Sequence, residues 1–242
     1  MSHGTPDWGR TSGLKTTYPM TDLGELAARL GSPITFDRRG DVVFFDSFED
    51  GLSQWAPTHD THGTTVTPSG QYSRTGGFSV EVALAGNANA YASLPRRQPT
   101  PVAGKLGVEY SATALSLAGK LLIELYVYDG SVAHEFSLNY DSDADALSIR
   151  TPAGAYTTIA TGVNLYSTPG LFHTLKLVVD IENDAYVRAI VDSTTYDLSA
   201  YGPRLDANST TPHTYLAVWV YNDVAVAHTV WLDDLIFTQN EP

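Results

Sequence analysis

The chain has no cysteine in its 242 residues. That excludes a disulfide framework, a thiol nucleophile and a cysteine-ligated zinc site. Basic residues are scarce: 14 Lys and Arg stand against 27 Asp and Glu, for a formal charge of −13. Phosphate contacts need clustered cations, so nucleic acid is not an expected partner. No apolar run is long enough to cross a bilayer, and no membrane partner is expected. The opening "MSHGTPDWGR" has no basic stretch followed by an apolar one, so it does not read as a secretory signal. Synthesis in the cytoplasm is the resulting expectation. Catalytic strings are missing too: there is no Gly-x-Ser-x-Gly elbow, no His-Glu-x-x-His and no phosphate loop. The chain is expected not to be an enzyme.

Hydrophobic residues make up 43% and charged residues 17%, a globular composition with a weakly charged surface. The charge is uneven. Residues 1–40 hold five basic side chains (Arg10, Lys15, Arg29, Arg38, Arg39) against four acidic ones, while the remainder holds 9 against 23. Residues 1–40 read as an arm. Its first part is rich in Gly, Pro, Thr and Ser and has no period. In "TDLGELAARLG", Leu23, Leu26, Ala27 and Leu30 fall on one helical face. Asp22 and Glu25 suit a capping box and Gly31 a C-terminal stop, which predicts a short helix over about 22–30. Such a helix does not persist alone, so its apolar stripe needs a surface to rest on. Trp8, Tyr18, Leu23, Leu26 and Leu30 are the candidate anchoring residues.

From Asp41 to the C-terminus the pattern is β. "VVFFD" reads as a short strand, and "FSVEVAL" alternates apolar Phe78, Val80, Val82 and Leu84 with Ser79, Glu81 and Ala83. "LLIELYVYDGSVAHEFSLNY" reads as a hairpin turning at Asp129-Gly130. "HTLKLVVDIENDAYVRAIVD" reads as a second, turning near residues 182–184. "TYLAVWVYND" and "HTVWLDDLIF" supply the last strands. The expected fold is all-β: an antiparallel jelly-roll or concanavalin-like sandwich over residues 41–242, preceded by the arm.

"FDSFEDGLSQW", "GQYSRTGGFSVEV" and "VWLDDLIF" resemble the jelly-roll carbohydrate-binding modules and related lectin-like sandwiches. The hairpins around "FHTLKLVVD" and "YVRAIVD" resemble concanavalin and laminin-G sandwiches. The likeness is scattered from about Phe45 to Phe237. It implies a structural calcium ion shared by Glu49 and Asp233 or Asp234, since calcium takes several hard oxygens from different segments. The bland alternative is that these acids only make turn and edge hydrogen bonds. Concanavalin-like glycosidases use a Glu-x-Asp-x-x-Glu type strand, and that string is absent here. Asp141, Asp143 and Asp145 have the spacing of the first half of a calcium loop. Ala146 and Pro152 break the second half, so an acidic turn is expected. The arm is similar to the leaders of uncharacterised proteins from phages and thermophile-associated genomes.

Two strands carry the candidate binding face. Ile123, Leu125 and Val127 share one face of theirs, opposite Glu124, Tyr126 and Tyr128. Leu216, Val218 and Val220 share one face of the other, opposite Ala217, Trp219 and Tyr221. Tyr126, Tyr128, Trp219 and Tyr221 suit a sugar, and equally suit packing on another subunit. The leading expectation is a structural protein of an assembled particle: a phage capsid decoration or virion surface protein anchored by its arm. Its partners would be the major capsid protein, other virion proteins and itself as a homo-oligomer, a trimer by analogy. The alternative is an extracellular or host-attachment carbohydrate-binding protein, with a glycan as ligand. A third reading, glycoside hydrolase or lyase, needs two carboxylates facing each other across an open cleft.

Overall fold

Strands form where the alternating pattern runs. The computed structural model describes residues 10–11, 14–15, 39–100, 104–113 and 119–242. In chain order the strands are β1 (Arg10–Thr11), β2 (Leu14–Lys15), β3 (Asp41–Asp46), β4 (Thr58–His59), β5 (Thr65–Ser69), β6 (Ser79–Leu84), β7 (Tyr91–Gln98), β8 (Lys105–Thr113) and β9 (Gly119–Tyr128). They continue as β10 (Val132–Asp141), β11 (Ala146–Arg150), β12 (Tyr156–Thr161), β13 (His173–Asp180), β14 (Ala185–Val191), β15 (Thr194–Asp197), β16 (Arg204–Ala207), β17 (His213–Asn222) and β18 (His228–Gln239). The helix expected near 22–30 and the anchors Trp8, Tyr18, Leu23, Leu26 and Leu30 lie outside the described residues. So do most of the residues that carry the arm's resemblance to phage leaders.

β1 and β2 form a two-residue ladder of their own. The rest is two antiparallel sheets. The first runs β12-β11-β10-β9-β17-β7-β4, and β16 also pairs with β10. The second runs β15-β14-β13-β8-β18-β6-β5, and β3 also pairs with β18. Their inner faces meet in one core. β9 and β17 send Leu121, Ile123, Leu125, Val127, Leu216, Val218 and Val220 inward, and β13 and β18 answer with Leu175, Leu177, Val179, Leu232, Leu235 and Phe237. All these side chains are buried, which is the free energy that orders the sandwich.

The hairpins turn where the sequence expects. Asp129 Oδ1 accepts the amides of Ser131 and Val132, each at 2.7 Å, and Gly130 takes a φ of 98°. That turn joins β9 to β10. Asp180 and Asp184 close the β13–β14 turn: Asp180 Oδ1 accepts the amides of Glu182 and Asn183, and Asp184 sits at a φ of 51°. The acidic stretch after β10 is a turn as well, with Asp141 Oδ1 accepting the amides of Asp143 and Ala144.

"FDSFEDGLSQW" is a folded unit. Asp46 ends β3, and its carboxylate accepts the Phe48 amide at 2.7 Å and the Trp55 indole N–H at 2.8 Å. Trp55 then packs against Phe44 and Phe48, with ring centroids 5.9 and 5.7 Å away. The segment closes one end of the core, and Phe48 and Trp55 are buried there.

Candidate functional site

The outward face of the first sheet carries the chemistry. Register fixes its layout. β9 presents Lys120, Leu122, Glu124 and Tyr126 in order along that face. β17 places Tyr221, Trp219, Ala217 and Tyr215 opposite those four. On the other side β10 places Asp141, Asn139, Ser137 and Glu135 opposite the same four. β11 adds Ser148 opposite Asn139, and β12 sets Tyr156 opposite Arg150. The result is a grid with aromatic rings on one flank and polar groups on the other.

A cleft of about 470 Å³ opens over this grid. Leu122, Asn139, Ser148 and Thr158 line its middle. Lys120, Asp141, Tyr221 and Asp223 line one end, and Glu124, Arg150 and Tyr156 the other. The polar groups are tied together. Lys120 Nζ lies 2.5 Å from Asp223 Oδ2 and 3.2 Å from Asp141 Oδ2. Burial pulls the ammonium down, but its bonds to Asp223 and Asp141 outweigh this and hold its pKa above the ordinary value. Arg150 pairs with Glu135, which also accepts the Tyr126 hydroxyl at 2.9 Å. Arg204 stands 3.7 Å from the other oxygen of Glu135. Glu124 accepts the Trp219 indole N–H at 2.7 Å. Burial, and the nearby Glu135, push the Glu124 carboxyl above the usual range, although Trp219 and Arg150 oppose them. Asn139 donates to Ser148 Oγ at 3.2 Å, and Tyr156 and Ser137 share a hydrogen bond of 3.1 Å.

The aromatic residues named from sequence are all on this face, half-buried, and in two groups. Trp219 stacks on Tyr221 at 5.5 Å, with Tyr91 tilted beside both. Tyr126 stacks on Tyr128 at 6.1 Å, Tyr128 on His213 at 4.5 Å, and Tyr215 meets Tyr126 edge-on. Rings that stack on one another cover part of each other's faces, so less flat surface is presented than the alternation alone implies. Of the four, Tyr221 lines the cleft. Trp219 supports it through Glu124 and Tyr221. Tyr126 is tied to Glu135, and Tyr128 continues the face beyond the cleft. Sequence reading missed Lys120, Asn139, Arg150, Tyr156 and Asp223. Their alternation with core residues was visible, but which strands lie side by side was not.

Glu49, Asp233 and Asp234 do converge, on the loop at residues 74–78. Glu49 Oε1 accepts the amides of Gly77 and Phe78 at 2.8 and 2.9 Å. Asp233 accepts the amides of Arg74, Thr75 and Asp234. Asp234 accepts the Thr75 hydroxyl at 2.5 Å and the Arg74 guanidinium at 3.1 Å. Calcium needs several oxygen ligands aimed at one centre. Among the described residues no group of three His, Asp or Glu is placed to hold a metal. As arranged, the trio does not fit the ion that the resemblance implies: it bonds N–H and O–H donors and anchors a loop.

That anchor carries a pH dependence. Burial, with Asp234 adjacent, pushes the Asp233 carboxyl up to about 7, whereas an unfolded aspartate titrates near 3.9. Between these values the folded state holds the extra proton, so this group's contribution to stability falls as pH rises from about 4 to about 7 and then levels off. Denaturant unfolding of the wild type and Asp233→Asn across that range checks it. The wild-type free energy minus the variant's is expected to decline through the window. A constant difference would count against it.

No protein-family model matches the sequence, and no curated protein matches it by sequence. Solved structures do match the fold. The chain is similar to an endo-β-1,4-glucuronan lyase from the fungus Trichoderma reesei, with a TM-score of 0.57, 9% identity, and coverage of 83% of this chain and 96% of that one. It is similar to a cellulose-induced protein, Cip1, with a TM-score of 0.55, 16% identity, and coverage of 81% and 96%. It is also similar to a Bacillus subtilis protein of unknown function with a galectin-like fold, with a TM-score of 0.54, 10% identity, and coverage of 83% and 97%. At these identities the likeness shows the fold alone: an all-β, galectin-like sandwich.

Proposed function

We propose that this protein binds carbohydrate in the cleft on the outward face of its first sheet, without turning it over. The observation that carries the reading is the composition of the cleft. Tyr221 and Tyr156 stand at its two ends, and carboxylates, an amide and hydroxyls lie between them. Rings suit the apolar face of a sugar, and fixed donors and acceptors suit its hydroxyls. Two fold neighbours, a glucuronan lyase and a cellulose-induced protein, support carbohydrate as the ligand class and leave turnover to the test below. Catalysis by paired carboxylates is disfavoured, because Glu135, the acid beside Glu124, is buried and bonded to Arg150 and Tyr126. The role as a particle surface protein rests on arm residues outside the described set, and the neighbours named above include no virion protein. The two roles are compatible, since a surface protein can bind host glycans.

A glycan array followed by calorimetry on the full chain tests the proposal. Binding of at least one oligosaccharide, with no new reducing ends or unsaturated products after long incubation, is the expected result. Silence across the array overturns the binding, and product formation overturns the absence of turnover.

A further inference from the structure

The charge arrangement of the cleft specifies which carbohydrate it takes. Among the described residues, the cations lining it are Lys120 and Arg150. Both are already matched inside the protein. Lys120 is held between Asp223 at 2.5 Å and Asp141 at 3.2 Å, and Arg150 is paired with Glu135. The lining itself carries Glu124, Asp141 and Asp223 against those two bases. Behind Arg150, Glu135 is shared with Arg204 at 3.7 Å, and Arg204 is itself paired with Asp206 at 2.8 Å, so this layer supplies no spare cation.

An acidic sugar entering this cleft meets net negative charge. Where it reaches Lys120 or Arg150 it must share the cation with a carboxylate already bound there, which sets two acids side by side at short range. A neutral sugar pays neither cost. The carboxylate oxygens accept from neighbouring hydroxyls, and the Asn139 side chain offers both a donor and an acceptor. Glu124, facing into the cleft beside Trp219, adds one more group of the same kind. We infer that the cleft selects neutral polysaccharide chains over uronic-acid chains, with Lys120 and Arg150 cancelling the protein's own acids instead of receiving a ligand's. This inference rests on the carbohydrate-binding reading of the site.

The test uses matched ligands. Glucan, galactan and mannan oligosaccharides are each paired with the uronate of the same linkage, in which the C6 hydroxymethyl is a carboxylate. Each is titrated calorimetrically into the full chain at low and at moderate ionic strength. At least one neutral member is expected to bind, with its uronate counterpart at least about tenfold weaker, as like-charge contact requires. The gap is expected to narrow as salt screens it. Asp223→Asn, which releases one of the two holds on Lys120, is expected to narrow it as well. A uronate that binds as tightly as its neutral partner overturns the inference and leaves carbohydrate binding intact. A gap indifferent to salt overturns its electrostatic origin. Silence in both series overturns the proposed function, and this inference with it.

Discussion

Replacing Tyr221 with alanine is expected to lower affinity for a neutral oligosaccharide by about ten- to a hundredfold, the scale at which a half-buried aromatic anchor counts as a hot spot. Tyr221 lines the end of the cleft that also holds Lys120 and Asp223. Its ring is fixed by stacking on Trp219 at 5.5 Å, and Trp219 is fixed in turn by its 2.7 Å bond to Glu124. A ring held this way loses little entropy when a sugar settles on it. Stability should change little, since Tyr221 faces out of the core while Val220 faces in. Tyr128→Ala is the control. That ring stacks on Tyr126 and His213 beyond the cleft, so a smaller loss is expected. Calorimetry on the wild type and both variants, with urea unfolding to confirm the fold, separates the cases. A Tyr221→Ala protein that binds like the wild type would show that the sugar sits elsewhere.

Much of the scaffold was legible because period 2 is a strong signal. Glu124, Tyr126 and Tyr128 were placed on one face from alternation alone, and the structure puts Ile123, Leu125 and Val127 in the core behind them. Asp129-Gly130 marked its turn because few residue pairs tolerate that backbone. The site was only half legible for a physical reason. Alternation tells which face a residue is on, and says nothing about which strand lies next door. Arg150 meets Glu135, and Lys120 meets Asp223, because β11 folds back on β10 and β17 returns beside β9. Those pairings belong to topology. The acids of the opening and closing strands show the opposite limit. Glu49 and Asp233 or Asp234 were read as sharing an ion; the structure sets all three against one loop, and sequence does not tell oxygens aimed at an ion from oxygens aimed at loop amides. The ring faces were overestimated for a related reason: whether adjacent aromatics lie open or stack on each other depends on rotamers.

Tyr186→Phe is expected to cost roughly 2–4 kcal/mol, about one to two for each of the two backbone groups it strands. The reason lies in a gap in the first sheet. One edge of β10 is shared by two strands: β16 pairs as far as Glu135, and β11 begins at Leu138. Between them, among the described residues, this edge has no strand partner at Phe136 and Ser137. Tyr186 reaches across the core from β14, in the other sheet, and fills the gap. Its hydroxyl accepts the Ser137 amide at 3.0 Å and donates to the Arg150 carbonyl at 3.0 Å. Its ring packs edge-on against Phe136 at 5.2 Å. Removing one oxygen therefore leaves the N–H of buried Ser137 and the C=O of half-buried Arg150 without that partner, while the aromatic packing survives. For a chain of this size the loss corresponds to a melting temperature lower by about 4–16 °C. The same two residues support the cleft: Arg150 lines it, and Ser137 holds the Tyr156 hydroxyl. Sugar affinity should accordingly fall by a few-fold, well short of the Tyr221 variant. Urea unfolding and calorimetry on the same samples check both parts. A stability change under about 0.5 kcal/mol, the range of ordinary surface substitutions, would mean that water takes the place of the hydroxyl and that the tie between the two sheets is not what holds the cleft floor.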